Sequence, residues 1–159
     1  MKAASLKEIK TELNHRSTQE LLEICLRLSK FKKENKELLT YLLFESANEA
    51  AFIASIKDKI DADFETINTK TFYFIKKSVR KILREVKKFI RYSQNKETEV
   101  ELLLYFCHKL YDFEPDIANN TALTNLYNRQ IGYIQKKVAS LHEDLQYDYN
   151  MELEELPEI

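Results

Sequence analysis

The chain has 159 residues, with 25 Lys or Arg against 26 Asp or Glu and a formal net charge of −1. Charged residues make up 32% and hydrophobic ones 44%, which suits a globular chain with its own core and excludes a disordered one. A single Gly and two Pro exclude a turn-rich β-sandwich and the glycine loops of doubly wound folds, leaving an all-α chain.

Helical periodicity runs through the sequence. A first short segment, about Leu6 to Leu13, places Leu6, Ile9 and Leu13 on one face. Ser17-Thr18-Gln19-Glu20 reads as a capping box opening a helix that carries Leu21, Ile24, Cys25 and Leu28 and ends near Phe31. A third helix is expected from about Glu34 to Glu45. Ser46-Ala47-Asn48-Glu49 reads as another capping box, with a fourth helix to about Asp63; one long bent helix over 34–63 is the alternative. Asn68 and Thr69 suggest the start of a fifth helix reaching Tyr92, and Asn95 caps a sixth that lasts to Phe113. Pro115 breaks the chain there. A last long helix starts at Asn119, Asn120 or Thr121, and its apolar stripe runs from Leu123 to Leu145. Gly132 lies inside it at a cost of roughly 1 kcal/mol relative to Ala, so close approach of a neighbouring helix is expected there.

One internal match stands out. The pattern Leu21-Leu22-x-x-Cys25-x-x-Leu28-x-x-Phe31 recurs 82 positions later as Leu103-Leu104-x-x-Cys107-x-x-Leu110-x-x-Phe113. An offset of 82 is about twice the 40–47 residues of two-helix solenoid repeats. The expectation is therefore an all-α stack of antiparallel helical hairpins, about seven helices in all. An α-α superhelix, HEAT-like in repeat length alone, is favoured over a simple four-helix bundle. Any amphipathic helix repeats Leu at such spacings, so the match does not establish a family. One domain over residues 1–146 is expected, followed by a tail at 147–159.

The fifth helix has an unusual charge arrangement. From Lys70 to Arg91 there are nine Lys or Arg and one acid, Glu85, a balance of +8. At 100° per residue, Phe72, Ile75, Val79, Ile82, Leu83, Val86, Phe89 and Ile90 fill an arc of about 120°. Lys76, Lys77, Arg80, Lys81, Arg84, Lys87, Lys88 and Arg91 fill about 140° on the other side, and Tyr73 projects among them. The stripe from Tyr73 to Arg91 is about 27 Å long. Like charges at i,i+4 repel by a few tenths of a kcal/mol per pair, so an anionic partner would relieve the strain. Phosphates would suit the face, with Tyr73 able to stack on an unpaired base. The plain alternative is a solvated face, or one paired with acids of the same chain.

The tail offers such acids. Glu143 to Ile159 contains seven Asp or Glu and no Lys or Arg. Tyr147, Tyr149, Met151, Leu153 and Leu156 are more apolar content than a free acidic tail holds, so docking on the domain or on a neighbouring copy is expected. Glu143 and Asp144 fall near the end of the expected last helix, the unfavourable sign for its dipole. A tail lying over the basic helix could gate it.

Chemistry is thinly represented. Glu12-Leu13-Asn14-His15 has the spacing of a di-iron motif but no second copy. Cys107 and His108 are adjacent on a helix and point apart, and His108 with Asp112 reads as a surface pair. Cys25 and Cys107 fall on apolar stripes and are expected to act as small core residues. No phosphate loop, nucleotide fingerprint or nucleophile elbow is present, so no catalytic residue, metal, cofactor or small-molecule substrate is assigned. Two separated Cys and an N-terminus without a signal-like apolar stretch point to a reducing cytoplasm. The longest apolar run, Leu102 to Cys107, is far short of the ~20 residues that span a bilayer. The function expected is a non-enzymatic protein-interaction module acting through the basic face at about 73–91, in a protein partner's complex or by self-association. The alternative is a nucleic-acid-binding protein using the same residues, gated by the tail.

Overall fold

The structure is a computed structural model describing residues 1–159. It is all-helical, with eight helices, 78% helix and no strand. The helices are α1 (Leu6–Asn14), α2 (Thr18–Phe31), α3 (Lys33–Thr40), α4 (Glu49–Glu65), α5 (Phe72–Ser93), α6 (Lys96–Tyr111), α7 (Thr121–Val138) and α8 (Glu143–Glu154). A π-helical turn, Tyr41–Glu45, follows α3, so residues 34–63 form two helices and not one. The chain divides into two compact units, Met1–Phe44 and Glu45–Ile159. Position 146/147, where the sequence suggested the tail begins, lies inside α8.

In the first unit, capping boxes start both leading helices. Ser5 and Glu8 cap α1, and Ser17 and Glu20 cap α2, each Glu accepting from the Ser backbone N–H at 2.8 Å. Hydrogen bonds from Ser5 and Ser17 hold both carboxyls below the usual Glu range. Packing does not follow from this local order. None of α1, α2 and α3 has a buried residue, and Cys25, expected in a core, is exposed.

The second unit holds the core, and α6 is its centre. Val100, Leu102, Leu103, Leu104, Phe106, Cys107 and Leu110 are all buried, which leaves α6 only a half-exposed edge of Glu101, Tyr105, His108 and Lys109 over those turns. α4, α5 and α7 each pack against it, and α8 packs on α7. The Phe64 ring lies 5.8 Å from Phe106 and 5.9 Å from Phe113, tying the end of α4 to α6. The matched segments of the sequence therefore sit in opposite surroundings: Leu110 is fully buried, whereas its counterpart Leu28 is 57% exposed.

Three local expectations are corrected. The N-cap of α4 is Asn48, whose side chain accepts from the Ala51 N–H at 3.0 Å. The Glu49 carboxylate accepts from two distant hydroxyls, Ser93 and Thr98, the latter donating at 2.7 Å. The cap of α5 is Thr71 and not Asn68 or Thr69; Asn68 closes a turn by accepting from the Lys70 N–H. The last long helix stops at Val138 and restarts at Glu143, which puts Glu143 and Asp144 in the first turn of α8, where the helix dipole favours acids.

Gly132 also departs from expectation. A Cβ there would meet no atom within 4 Å, so no close approach explains it. Gly132→Ala should raise stability by about 0.5–1 kcal/mol, because Ala loses less backbone entropy in a helix. A urea titration of the two chains measures this directly; a loss of stability would show a constraint at 132 that the backbone does not display.

Candidate anion-binding face

Helix α5 displays the basic stripe because its other side is committed to the core. Ile75, Val79, Ile82, Leu83, Val86 and Ile90 are buried, as the spacing predicts. That fixes the helix's rotation and turns Lys77, Arg80, Lys81, Arg84 and Arg91 into solvent, with Lys76, Lys87 and Lys88 half-buried. Tyr73, Lys76, Lys77, Arg80, Lys81 and Arg84 line an open trough of about 690 Å³ built from this one helix. None of Lys76, Lys77, Arg80, Lys81, Arg84 and Arg91 has a carboxylate within 4.0 Å. Lys87 has its ammonium 5.9 Å from the centre of the Tyr133 ring, and Lys88 lies over Phe89 at 5.1 Å.

Glu85, the one acid of the stretch, faces away from the stripe toward α4. Lys59 bridges it at 2.8 Å and reaches Asp63 at 2.6 Å. The hydrogen bond from Lys59 holds the Glu85 carboxyl below its ordinary value of 4.5, with Lys88 and Lys81 adding to the effect. Lys59 loses some of its charge preference to burial, but Asp63 and Glu85 together raise it overall. A depressed carboxylate contributes stability above its unfolded pKa, and that contribution disappears as pH falls through the folded value. Wild type should therefore exceed Glu85→Gln in urea midpoint at pH 7, and the gap should close below about pH 4. An unchanging gap from pH 7 to 3 would show that the charge of Glu85 is irrelevant.

The aromatic end of the stripe has a member that the helical wheel passed over. Phe74 is exposed beside Tyr73, the two rings meeting edge to face at 5.5 Å and 74°. Its signal in the sequence is a Phe lying outside the apolar arc of an otherwise well-segregated helix.

The tail is helical and stands on α6 and α7. Tyr149 and Leu156 are buried, Leu153 is half-buried, and Tyr147 and Met151 are exposed. The Tyr149 hydroxyl donates to Glu97 on α6 at 3.2 Å, and the Tyr127 hydroxyl donates to the Pro157 carbonyl at 3.1 Å. Burial pushes both phenols well above the usual Tyr range. Asn128 receives the Ile159 N–H at 3.1 Å. No ion pair joins α8 to α5.

A second concavity, about 290 Å³, lies among α4, α6 and α8, lined by Lys57, Glu97, Glu101, Tyr105, His108 and Tyr149. Part of its charge is internally engaged: Lys57 bridges Glu101 at 2.7 Å, and Glu97 accepts from the Tyr149 hydroxyl. Neither here nor elsewhere do His, Cys, Asp and Glu gather in a group that could hold a metal ion. Cys107 is buried against apolar neighbours, which pushes its thiol up to about 12. No helix is long and apolar enough to cross a membrane.

The comparisons add no relative. No family model, curated protein or solved structure matches this chain.

Proposed function

We propose that the protein is a non-enzymatic helical interaction module whose α5 face receives an acidic segment of a partner protein. The observation that carries this reading is the set of six cations, Lys76, Lys77, Arg80, Lys81, Arg84 and Arg91, left without a carboxylate on one helix face. Repulsion along such a row is tolerated only because the apolar side fixes the helix, and an anionic partner would convert it into attraction. The expected stacking of helical hairpins would present α5 as one ridge of a continuous surface; α6, buried at the centre of the second unit, is the element such a stack would be built around.

A second reading, nucleic-acid binding, has its own supporting observation: Tyr73 is 66% exposed and lies edge-on to exposed Phe74 at one end of the row of cations. An aromatic platform beside phosphate-binding cations is what single strands use.

Fluorescence anisotropy with a labelled 20-residue polyglutamate and a labelled 20-nucleotide single strand, each over a salt series, tests both. Binding of polyglutamate at low salt, weakening as salt rises, is the expected result. Preference for the oligonucleotide, with a steep logarithmic salt slope, would replace the leading reading by the second. Binding of neither probe at low salt would overturn both.

A further inference from the structure

Helix α8 carries the opposite charge to the α5 stripe. Its exposed acids are Glu143, Asp144, Asp148, Glu152 and Glu154, and none has a Lys or Arg within 4.0 Å. With Glu155 and Glu158 they bring −7 to residues 143–159, against +8 on residues 70–91. Burial of Tyr149 fixes the rotation of α8, and the side opposite it shows Tyr147, 69% exposed, and Met151, 49% exposed. At 100° per residue, Glu143, Asp144, Asp148 and Glu154 all fall within about 80° of the line through Tyr147 and Met151. Acids and apolar side chains therefore share one outward face.

The stripe on α5 is built the same way with the sign reversed. Lys77, Arg80, Lys81 and Arg91 fall within about 60° of Arg84 around the helix, and so does Tyr73. Each group on α8 has a suitable counterpart here. Its carboxylates meet cations that lack one, the Tyr147 ring suits an Arg or Lys, and the Met151 sulfur suits the Tyr73 and Phe74 rings. Helix α8 has 12 residues and is about 18 Å long, which fits within the stripe of about 27 Å.

Within one chain these faces are not joined: α8 packs on α7, and no ion pair links it to α5. Building on the reading of α5 as an anion-binding face, we infer that the acidic segment it receives is α8 of a second copy of the chain. The contact joins two different faces of the same molecule and is heterologous. It covers one helix face on each side, which places it in the small, reversible class of interface. Its attraction comes from exposed charges, so salt must weaken it.

Sedimentation equilibrium of the full chain, on the order of 100 μM, tests this. The weight-average mass should lie well above one chain at about 0.01 M salt, where charges act over about 30 Å, and fall to one chain at about 1 M, where they act over about 3 Å. Arg80→Glu with Arg84→Glu on α5, or Asp148→Lys with Glu154→Lys on α8, should each raise the dissociation constant by about tenfold or more. An equimolar mixture of the two variants should restore association, because each reversed face then meets its complement; misfolded chains would not do this. Lys2→Glu with Lys10→Glu changes the net charge as much as the α5 variant does, but on the first unit, and should leave association as it is. A single-chain mass for the wild type at about 0.01 M salt, with polyglutamate still bound, would overturn this inference and leave the proposed function standing. Loss of both would overturn the two together. Association that survives the α5 or α8 variant, does not return on mixing, or falls equally in the Lys2 and Lys10 variant would also overturn it.

Discussion

Phe106→Ala should cost about 3–5 kcal/mol, the loss of a large buried ring plus the cavity it leaves. Phe106 is fully buried on the central helix and shares its ring contact with Phe64 of α4. Against a total stability of about 5–15 kcal/mol for an ordinary domain, that is enough to leave the second unit marginal or unfolded at room temperature. α4, α5 and α7 all rest on α6, so the loss should be cooperative: one transition, shifted to lower urea, in both far-ultraviolet circular dichroism and tyrosine fluorescence. A change under 1 kcal/mol would mean that α6 is not the centre of the core. Phe31→Ala, at the 77%-exposed position within the sequence match, should leave the urea midpoint of this transition unchanged.

The second large effect concerns binding. Arg80→Glu with Arg84→Glu should weaken polyglutamate binding at low salt by at least tenfold, which is about 1.4 kcal/mol. The same change should leave stability unchanged or raise it by a few tenths of a kcal/mol. Both side chains are exposed and unpaired, and the new acids fall four residues from Lys76 and Lys88. Opposite movements of affinity and stability separate a functional face from a structural one. If affinity is unchanged while the fold is intact, the stripe is a solvated surface and the proposed function falls. Tyr73→Ala divides the two readings further, since a loss of oligonucleotide binding without loss of polyglutamate binding would assign the aromatic end to base stacking.

Much of the local structure is legible from residue pattern alone. Ser17 with Glu20, Asn95 and the apolar arc of α5 each specify a cap or a face through interactions within a few residues, and the structure shows them as read. The exceptions lie at caps and corners, where the spacing alone does not name the hydrogen-bond partner. Ser46 to Glu49 has the spacing of a capping box, but the N-cap is Asn48, and the Glu49 carboxylate accepts from Ser93 and Thr98, 44 and 49 residues away. The last helix continues its apolar spacing through Leu141, yet it ends at Val138, and the Leu141 carbonyl accepts from Gln146 at 2.7 Å at the corner. Cys25 and Cys107 share a sequence context and differ in burial because context records spacing, not what packs from outside. The centrality of α6 did have a signal: Leu102 to Cys107 is the longest unbroken apolar run in the chain, as a helix packed against three neighbours requires.

The separation of α5 from α8 has a consequence at longer range. The chain is nearly neutral, with a net charge of −1, yet +8 resides on Lys70 to Arg91 and seven acids on Glu143 to Ile159, with no ion pair between the two helices. Such a molecule is a strong electric dipole, and an approaching charged body would turn it before touching it. At pH 7 and low salt it should be retained by both cation- and anion-exchange resins, presenting a different helix to each.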